Sequence, residues 1–149
     1  MNIGELLSQD AILADLKATT KAEVFAELVT PLLSLHPELQ SVDVLSILAQ
    51  RELLGSTAVG EGVAIPHGKI PGLDKLSLAV GRSRGGIDFS APDQQLCHIF
   101  FLILMPEQGA GQHLRLLAQL ARRAKDPVFR HEVLLAESTS QIRQAIVDP

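Results

Sequence analysis

The sequence contains a single cysteine, Cys97, so no disulfide bond can form within the chain. That absence fits a reducing compartment. Cys97 lies in a strand-like apolar pattern, where a thiol usually behaves as a small buried hydrophobic side chain. We therefore expect Cys97 to be structural rather than reactive.

Long hydrophobic runs are also missing. The longest, residues 99–105, is far shorter than the roughly 20 residues that a membrane-spanning helix needs. The amino terminus lacks the positively charged start and the long apolar stretch of a signal peptide. These absences predict a cytoplasmic protein without direct membrane insertion.

The sequence also lacks an excess of positive charge, because its formal net charge is -4. A nucleic-acid-binding protein needs a concentrated positive surface to displace the counterions of the phosphates. The cluster of Arg122, Arg123 and Lys125 is better explained as the end of a helix, where the helix dipole favours cations. No nucleic-acid partner is therefore expected.

The composition that is present is that of an ordinary globular protein. Of the 149 residues, 46% are hydrophobic and 20% are charged, and no internal repeat or linker divides the chain. A chain of this length buries roughly two thirds of its unfolded surface on folding. We therefore predict one domain comprising residues 1–149.

Helical spacing of apolar residues predicts two helices in the first third of the chain. Residues 20–35 form the first, and Thr20 with Glu23 makes a capping-box pattern at its start. The second is expected to have Ser41 as its N-cap and to end at Gly55, because glycine is typical of helix C-termini.

The last third of the chain predicts three more helices. Residues 112–124 form one, Asp126 and Pro127 open the next, and Ser138 with Gln141 caps the last. The helix over residues 112–124 is expected to bury an apolar stripe formed by Leu114, Leu117, Leu120 and Ala121.

Strand patterns lie between these helices, at residues 63–65, 76–82 and 96–105. The Gly85-Gly86 pair is expected to lead into a short edge strand or turn at residues 87–89, which suggests a hairpin and a mixed sheet. Residues 96–105 are apolar on both faces, as in a central strand covered by helices on each side. The predicted fold class is α/β, a three-layer α/β/α sandwich with a mixed central β-sheet.

The glycine-rich segment at residues 55–72 does not match either nucleotide-binding pattern. A P-loop needs a serine or threonine after its lysine, but Ile70 follows Lys69. The dinucleotide-binding pattern that starts at Gly60 has Ile65 in place of its third glycine. This segment therefore needs another function.

His67 is the candidate nucleophile of that segment. Pro66 before it fixes its own φ, and Gly68 after it lets another chain or a phosphate come close, so the histidine is expected to be exposed. An imidazole has an ordinary pKa of about 6.5, so at neutral pH much of it carries a free lone pair. From the residues alone, a structural or hydrogen-bonding role for His67 stays equally open.

His113 and Arg51 are candidates for holding an anion beside His67. His113 stands at the start of a predicted helix, where free N–H groups attract an oxyanion. Arg51 precedes the segment and could bind phosphate through two N–H groups. The alternatives are an ordinary polar residue in the first helical turn and a surface charge. The hydroxyl groups of Ser56 and Thr57 are further candidates.

Three segments in order resemble the type-2 EIIA domains of the bacterial sugar phosphotransferase system. They are RELLGSTAVGEGVAIPHGK at residues 51–69, IDF at residues 87–89 and HLRLLAQLAR from His113. The resemblance covers essentially the whole chain, and it includes the fructose, mannitol and nitrogen-related EIIA proteins. It implies a three-layer α/β/α domain with a mixed sheet.

The resemblance also implies a phosphocarrier function. The residue that matches the family's active histidine is His67, which would accept a phosphoryl group from a phosphohistidine on HPr or an HPr-like protein. The second family histidine matches His113, and the family arginine matches Arg51, with Ser56 and Thr57 as further oxygen contacts. This chemistry needs no metal or other cofactor. The group would pass to an EIIB domain or serve as a signal to a regulatory target.

A stand-alone regulator of the nitrogen type is favoured, since the sequence shows no EIIB or membrane EIIC segment. The main alternative is a regulatory module of the same fold that acts by docking to proteins without phosphorylation. A metal-dependent hydrolase is a more distant alternative, because His67 and His113 lack an evident third ligand.

Overall fold

The computed structural model describes residues 3–108 and 110–148. The α-helices among these residues span Ile3–Leu6 (α1), Lys21–Leu35 (α2), Val44–Leu53 (α3), Ala110–Ala124 (α4), Pro127–Leu135 (α5) and Thr139–Val147 (α6). The strands span Ile12–Leu13 (β1), Ala58–Gly60 (β2), Val63–Ala64 (β3), His67–Ile70 (β4), Ser77–Ile87 (β5) and Cys97–Pro106 (β6). Short 3-10 helices cover Gln9–Ala11 and Pro37–Ser41.

The strands form one mixed sheet in the order β1-β5-β6-β3-β2, and β4 also pairs with β6. β1 is parallel to β5, β5 is antiparallel to β6, and both β3 and β4 are parallel to β6. The predicted mixed sheet and the predicted central strand are therefore confirmed.

β6 separates two hydrophobic cores, because successive side chains of a strand point to opposite faces. Phe101 and Ile103 pack with residues of α4, α5 and α6 on one face. Phe100 and Leu102 pack with residues of α2 and α3 on the other. Helices on both faces of the sheet give the three-layer α/β/α sandwich that the sequence predicts.

Cys97, the first residue of β6, is fully buried. Burial raises the pKa of its thiol to about 11, so the reactive thiolate is strongly disfavoured at neutral pH. The expected structural role agrees with this environment.

The helix caps of α2 and α5 match their predictions. Thr20 and Glu23 form a complete capping box at α2, and the side chain of Asp126 accepts from Val128 N–H at α5. At α6, Ser138 accepts from Gln141 N–H as expected, but the Gln141 side chain accepts from Glu137 N–H instead of completing the box.

The predicted N-cap of α3 is wrong. Residues Pro37–Ser41 form a separate 3-10 helix, and the Ser41 hydroxyl donates to Glu38 O at its end. The cap is Asp43, whose side chain accepts from Ser46 N–H. Serine and aspartate both cap helices well, so the residue type alone does not separate them. The 3-10 helix at Pro37–Ser41 places the start of α3 after Asp43.

The predicted break at Gly85-Gly86 is also wrong, and no hairpin forms there. β5 continues to Ile87, and its register with β6 shifts between Arg82 and Ile87, which marks a bulge. Gly86 has φ 82°, and a Cβ there would lie 2.8 Å from His98 Cε1. The glycines therefore allow a bulged strand to pass close to its neighbour rather than turn back.

The buried face of α4 differs from the predicted stripe by one residue. Leu114 is 60% exposed, whereas Leu116 and Leu120 are fully buried. His113 is only 4% exposed and lies on this buried face, since residues at i, i+3 and i+7 share one side of a helix. Leu117 and Ala121 are half-buried at the edge of the face.

Removal of the Ser77 hydroxyl is expected to leave stability unchanged or to raise the free energy of unfolding by roughly 1 kcal/mol. Ser77 is 1% exposed, and its Oγ has no hydrogen-bond partner among the described residues, so the group is desolvated without compensation. Urea unfolding of Ser77→Ala measures the change. A loss of more than 1 kcal/mol would show that the hydroxyl has a partner.

Candidate functional site

His67 is the first residue of β4, opposite Ile103 of β6. Its side chain is half-buried, so it is less exposed than the sequence suggests. Nδ1 lies 2.8 Å from the Ile65 carbonyl oxygen. Because a carbonyl oxygen only accepts, Nδ1 carries the hydrogen, and the neutral ring has its lone pair on Nε2. The backbone therefore selects Nε2 as the nucleophilic nitrogen.

Gly68 makes room for a helix rather than for a ligand. A Cβ at this position would lie 3.2 Å from Ile47 Cγ2 and 3.4 Å from Leu48 Cδ2, both on α3. The glycine lets α3 pack against β4. The space at Gly68 is taken by α3 rather than by the other chain or the phosphate expected there, and the contact brings α3 close to β4.

Four of the predicted site residues line one cavity of about 230 Å³, which we call the His67 cavity. The predicted residues are His67, Arg51, Ser56 and Thr57. β2, the segment between β3 and β4, and α4 supply the rest of the wall, with apolar side chains. These are Ala58, Val59, Ile65, Leu117 and Ala121.

Arg51 brings a positive charge to the His67 cavity from the last turn of α3. One of its groups, Nη1, donates to Gly55 O at 3.0 Å. The other guanidinium N–H groups have no hydrogen-bond partner among the described residues. Arg51 can therefore stay tied to its own loop and still donate hydrogen bonds to an anion.

The hydroxyl groups of Ser56 and Thr57 are already in use. Ser56 Oγ donates to Phe89 O, and Thr57 Oγ1 donates to Glu52 Oε1 at 2.7 Å. A hydroxyl has one hydrogen to donate, so neither group can also donate to a phosphoryl oxygen in this structure. Both residues line the cavity, but the geometry gives them a loop-holding role in place of the predicted contacts to phosphoryl oxygens.

His113 does not line the His67 cavity. It borders a separate cavity of about 680 Å³ together with Lys75, Gln112 and Arg115. Its imidazole is buried, and it makes no side-chain hydrogen bond to a described residue. A charge on His113 is nevertheless the weakest of the influences that lower the pKa of His67, which links the two histidines electrostatically.

The environment of His67 keeps its imidazole neutral. Burial lowers the pKa of His67 below 6.5, and the charges of Arg51 and His113 lower it further. The hydrogen bond to Ile65 O and the negative charge of Glu52 act in the opposite direction. Because the net pKa is lowered, the neutral, nucleophilic form of His67 persists to lower pH than in a free histidine.

NMR titration is expected to show His67 with a pKa below 6.5, and Arg51→Gln is expected to raise that pKa. The substitution removes a positive charge that disfavours protonation. Arg84→Gln is the matched control, because Arg84 is exposed, pairs with Asp15 and is not among the charges named as acting on His67. A lower pKa in Arg51→Gln would contradict the arrangement.

Glu52 is a part of the site that the sequence analysis missed. Its carboxylate accepts from both the N–H and the hydroxyl of Thr57. One signal was available, because a carboxylate in the last turn of a helix opposes the helix dipole. A carboxylate in this unfavourable position needs a compensating contact, which Thr57 and Lys21 supply.

No group of three or more histidine, cysteine, aspartate or glutamate side chains among residues 3–108 and 110–148 could hold a metal ion. Within the same residues, each helix is too short or too polar to cross a membrane.

Comparison with known proteins defines the class. Residues 5–148 match the family described as "Phosphoenolpyruvate-dependent sugar phosphotransferase system, EIIA 2". The chain belongs to this type-2 EIIA family, whose members are components of a phosphotransferase system.

Within the family, the chain is similar to proteins named for nitrogen regulation. It is 41% identical over 149 residues to a nitrogen regulatory protein of Bradyrhizobium diazoefficiens, a match that covers 100% of this chain and 97% of that protein. The crystal structure of nitrogen regulatory protein IIA-Ntr from Neisseria meningitidis superimposes with a TM-score of 0.88 at 34% identity, covering 97% of this chain and 98% of that one.

A third comparison is with a mannitol-specific EIIA. The mannitol EIIA of Escherichia coli, solved in complex with phosphorylated mannitol EIIB, has a TM-score of 0.77 at 18% identity, covering 96% of this chain and 98% of that one. At this identity the comparison establishes the shared fold alone.

Proposed function

We propose that the protein is a cytoplasmic phosphocarrier that accepts a phosphoryl group on His67 Nε2 from a phosphohistidine of an HPr-type donor. The observation that carries the proposal is the hydrogen bond from Nδ1 to Ile65 O, which leaves Nε2 with the lone pair. His67 lines a cavity with Arg51, so a nucleophile and a cation meet at one place.

The transfer step exchanges one N–P bond for another. The lone pair of His67 Nε2 forms a bond to phosphorus while the donor N–P bond breaks, and its electron pair returns to the donor imidazole. Nδ1 of His67 keeps its hydrogen throughout. As the ring gains positive charge, its bond to Ile65 O becomes charge-assisted and therefore stronger. Both phosphoramidates are of one chemical kind, so the step can run in either direction.

Catalysis in this proposal consists of alignment and charge stabilisation, as is usual for phosphoryl transfer. The free N–H groups of Arg51 would hold the equatorial oxygens of the phosphoryl group. His113 is proposed as a second oxygen contact, supported by its electrostatic influence on His67. It would have to reach the group from the edge of its own cavity. Ser56 and Thr57 would shape the wall and hold the loop.

We further propose that the phosphoryl group serves regulation rather than sugar uptake. The support is the similarity, over nearly the full length of both chains, to proteins named nitrogen regulatory protein. In that case the acceptor of the signal is a regulatory target protein, whereas a transport component would pass the group to an EIIB domain.

The test is incubation with phosphoenolpyruvate and the general phosphotransferase proteins, followed by intact-protein mass spectrometry. We expect the addition of one phosphoryl group that is lost in acid, as a phosphoramidate should be. Omission of phosphoenolpyruvate is the control. If no phosphoryl group is added, the alternative of a docking module without phosphorylation is favoured instead.

A further inference from the structure

The Glu52 carboxylate, next to the His67 cavity, accepts three hydrogen bonds. Its side chain is 6% exposed, and Oε2 accepts from Thr57 N–H at 3.0 Å and from Lys21 Nζ at 2.9 Å. Oε1 accepts from the Thr57 hydroxyl at 2.7 Å. A buried carboxylate is stable only when such partners compensate its lost hydration.

Hydrogen bonds, linked through the backbone of Thr57 and Ile65, connect Glu52 to His67. Glu52 fixes Thr57 at both its N–H and its hydroxyl. The Thr57 carbonyl then accepts from Ile65 N–H at 2.9 Å, and the Ile65 carbonyl accepts from His67 Nδ1 at 2.8 Å. Each link determines the position of the next group, and the last link sets the tautomer of His67.

The other end of this series of hydrogen bonds is anchored outside the cavity. Lys21, the first residue of α2, pairs with Glu52 and lies 4.8 Å from the centre of the Phe89 ring. The Phe89 carbonyl accepts from the Ser56 hydroxyl. The loop that carries Ser56 and Thr57 is therefore fixed at two consecutive residues by groups that do not line the cavity.

We propose that Glu52 is a positioning residue for phosphoryl transfer, which orients the Ile65 carbonyl and thereby holds His67 with Nε2 as its nucleophilic nitrogen. The inference rests on the proposed function. Glu52 touches neither the phosphoryl group nor the donor in this scheme, so its loss lowers the maximal rate and leaves the donor concentration for half-maximal rate nearly unchanged.

Two substitutions of Glu52 separate its geometry from its charge. Glu52→Ala removes the acceptors of Thr57. Glu52→Gln removes the charge but keeps one carbonyl oxygen for Thr57 N–H and Lys21, while the Thr57 hydroxyl can rotate to accept from the new amide. Glu132→Gln is the matched control, because Glu132 is exposed on α5.

The expected rate of phosphorylation by an HPr-type donor is at least about tenfold lower in Glu52→Ala and within about threefold of wild type in Glu52→Gln. Nitrogen NMR of labelled histidine supplies the second readout. Glu52→Ala is expected to give His67 a mixture of Nδ1-H and Nε2-H tautomers, whereas Glu52→Gln keeps Nδ1-H. Thr57→Val is a milder variant that removes one link, and a partial shift to Nε2-H is expected.

A wild-type rate in Glu52→Ala, or a slow rate with the tautomer of His67 unchanged, would overturn the positioning role. If Glu52→Ala does not fold, Thr57→Val replaces it in the test. An unchanged His67 tautomer in Thr57→Val would then overturn the positioning role. The proposed function has a separate test. It fails if the wild-type protein is not phosphorylated, whatever tautomer of His67 the Glu52 variants show.

Discussion

Replacement of His67 by alanine is expected to lower phosphorylation by at least about a thousandfold, to below detection in the mass spectrum. The reason is that the substitution removes the attacking lone pair itself. The remaining residues of the His67 cavity stay in place, since the side chain makes one hydrogen bond, to its neighbour Ile65, and contributes little to the core. The protein should therefore keep its fold and lose only the transfer.

Two other histidine variants serve as comparisons. His131→Ala changes an exposed histidine on α5 and is expected to be phosphorylated at the wild-type rate. His113→Ala is expected to be phosphorylated more slowly but to full yield, because His113 would contact oxygens and would not form the bond. Full phosphorylation of His67→Ala would show that another residue carries the phosphoryl group.

Replacement of Arg82 by methionine is expected to lower the free energy of unfolding by about 3 kcal/mol. Arg82 is 1% exposed in the middle of β5. Its Nε donates to Ala14 O, and its Nη1 donates to Val133 O and Ala136 O at the end of α5. Methionine is of similar length but leaves these buried carbonyl oxygens without donors, and it removes a cation from a helix C-terminus.

Arg84→Met, two residues further along the same strand, is the control for Arg82. Arg84 is exposed and pairs with Asp15 at 2.9 Å, and exposed ion pairs contribute about 1 kcal/mol or less. Urea unfolding of both variants measures the difference. If Arg82→Met and Arg84→Met lost equal stability, the buried hydrogen bonds of Arg82 would stabilise the fold no more than the surface contacts of Arg84 do.

Patterns confined to a single element were predictable from the sequence. The caps at Thr20 and Asp126 follow from residues within one turn, and the burial of β6 on both faces follows from an apolar run. Predictions failed where a distant contact decided the outcome. The bulge at Gly86 depends on the side chain of His98 on the next strand, which local sequence does not reveal.

The same distinction applies to the site. The Pro-His-Gly pattern and the family resemblance predict His67 as the nucleophile, and Arg51, predicted as a phosphate contact, lines the same cavity. The sequence could not show that Gly68 faces α3 or that the Thr57 hydroxyl is bound to Glu52, because both contacts depend on how α3 packs. The position of His113 on the buried face of α4 likewise depends on the rotation of the helix, because the predicted stripe included Leu114 where the structure buries Leu116.

In the proposed function, the backbone of Ile65 directs phosphorylation to one nitrogen of one histidine. Nitrogen-15 and phosphorus-31 NMR of the phosphorylated, histidine-labelled protein tests it directly. We predict phosphorus coupling to Nε2 of His67 with the hydrogen retained on Nδ1. Coupling to Nδ1 of His67, or to a nitrogen of any other histidine, would contradict the account.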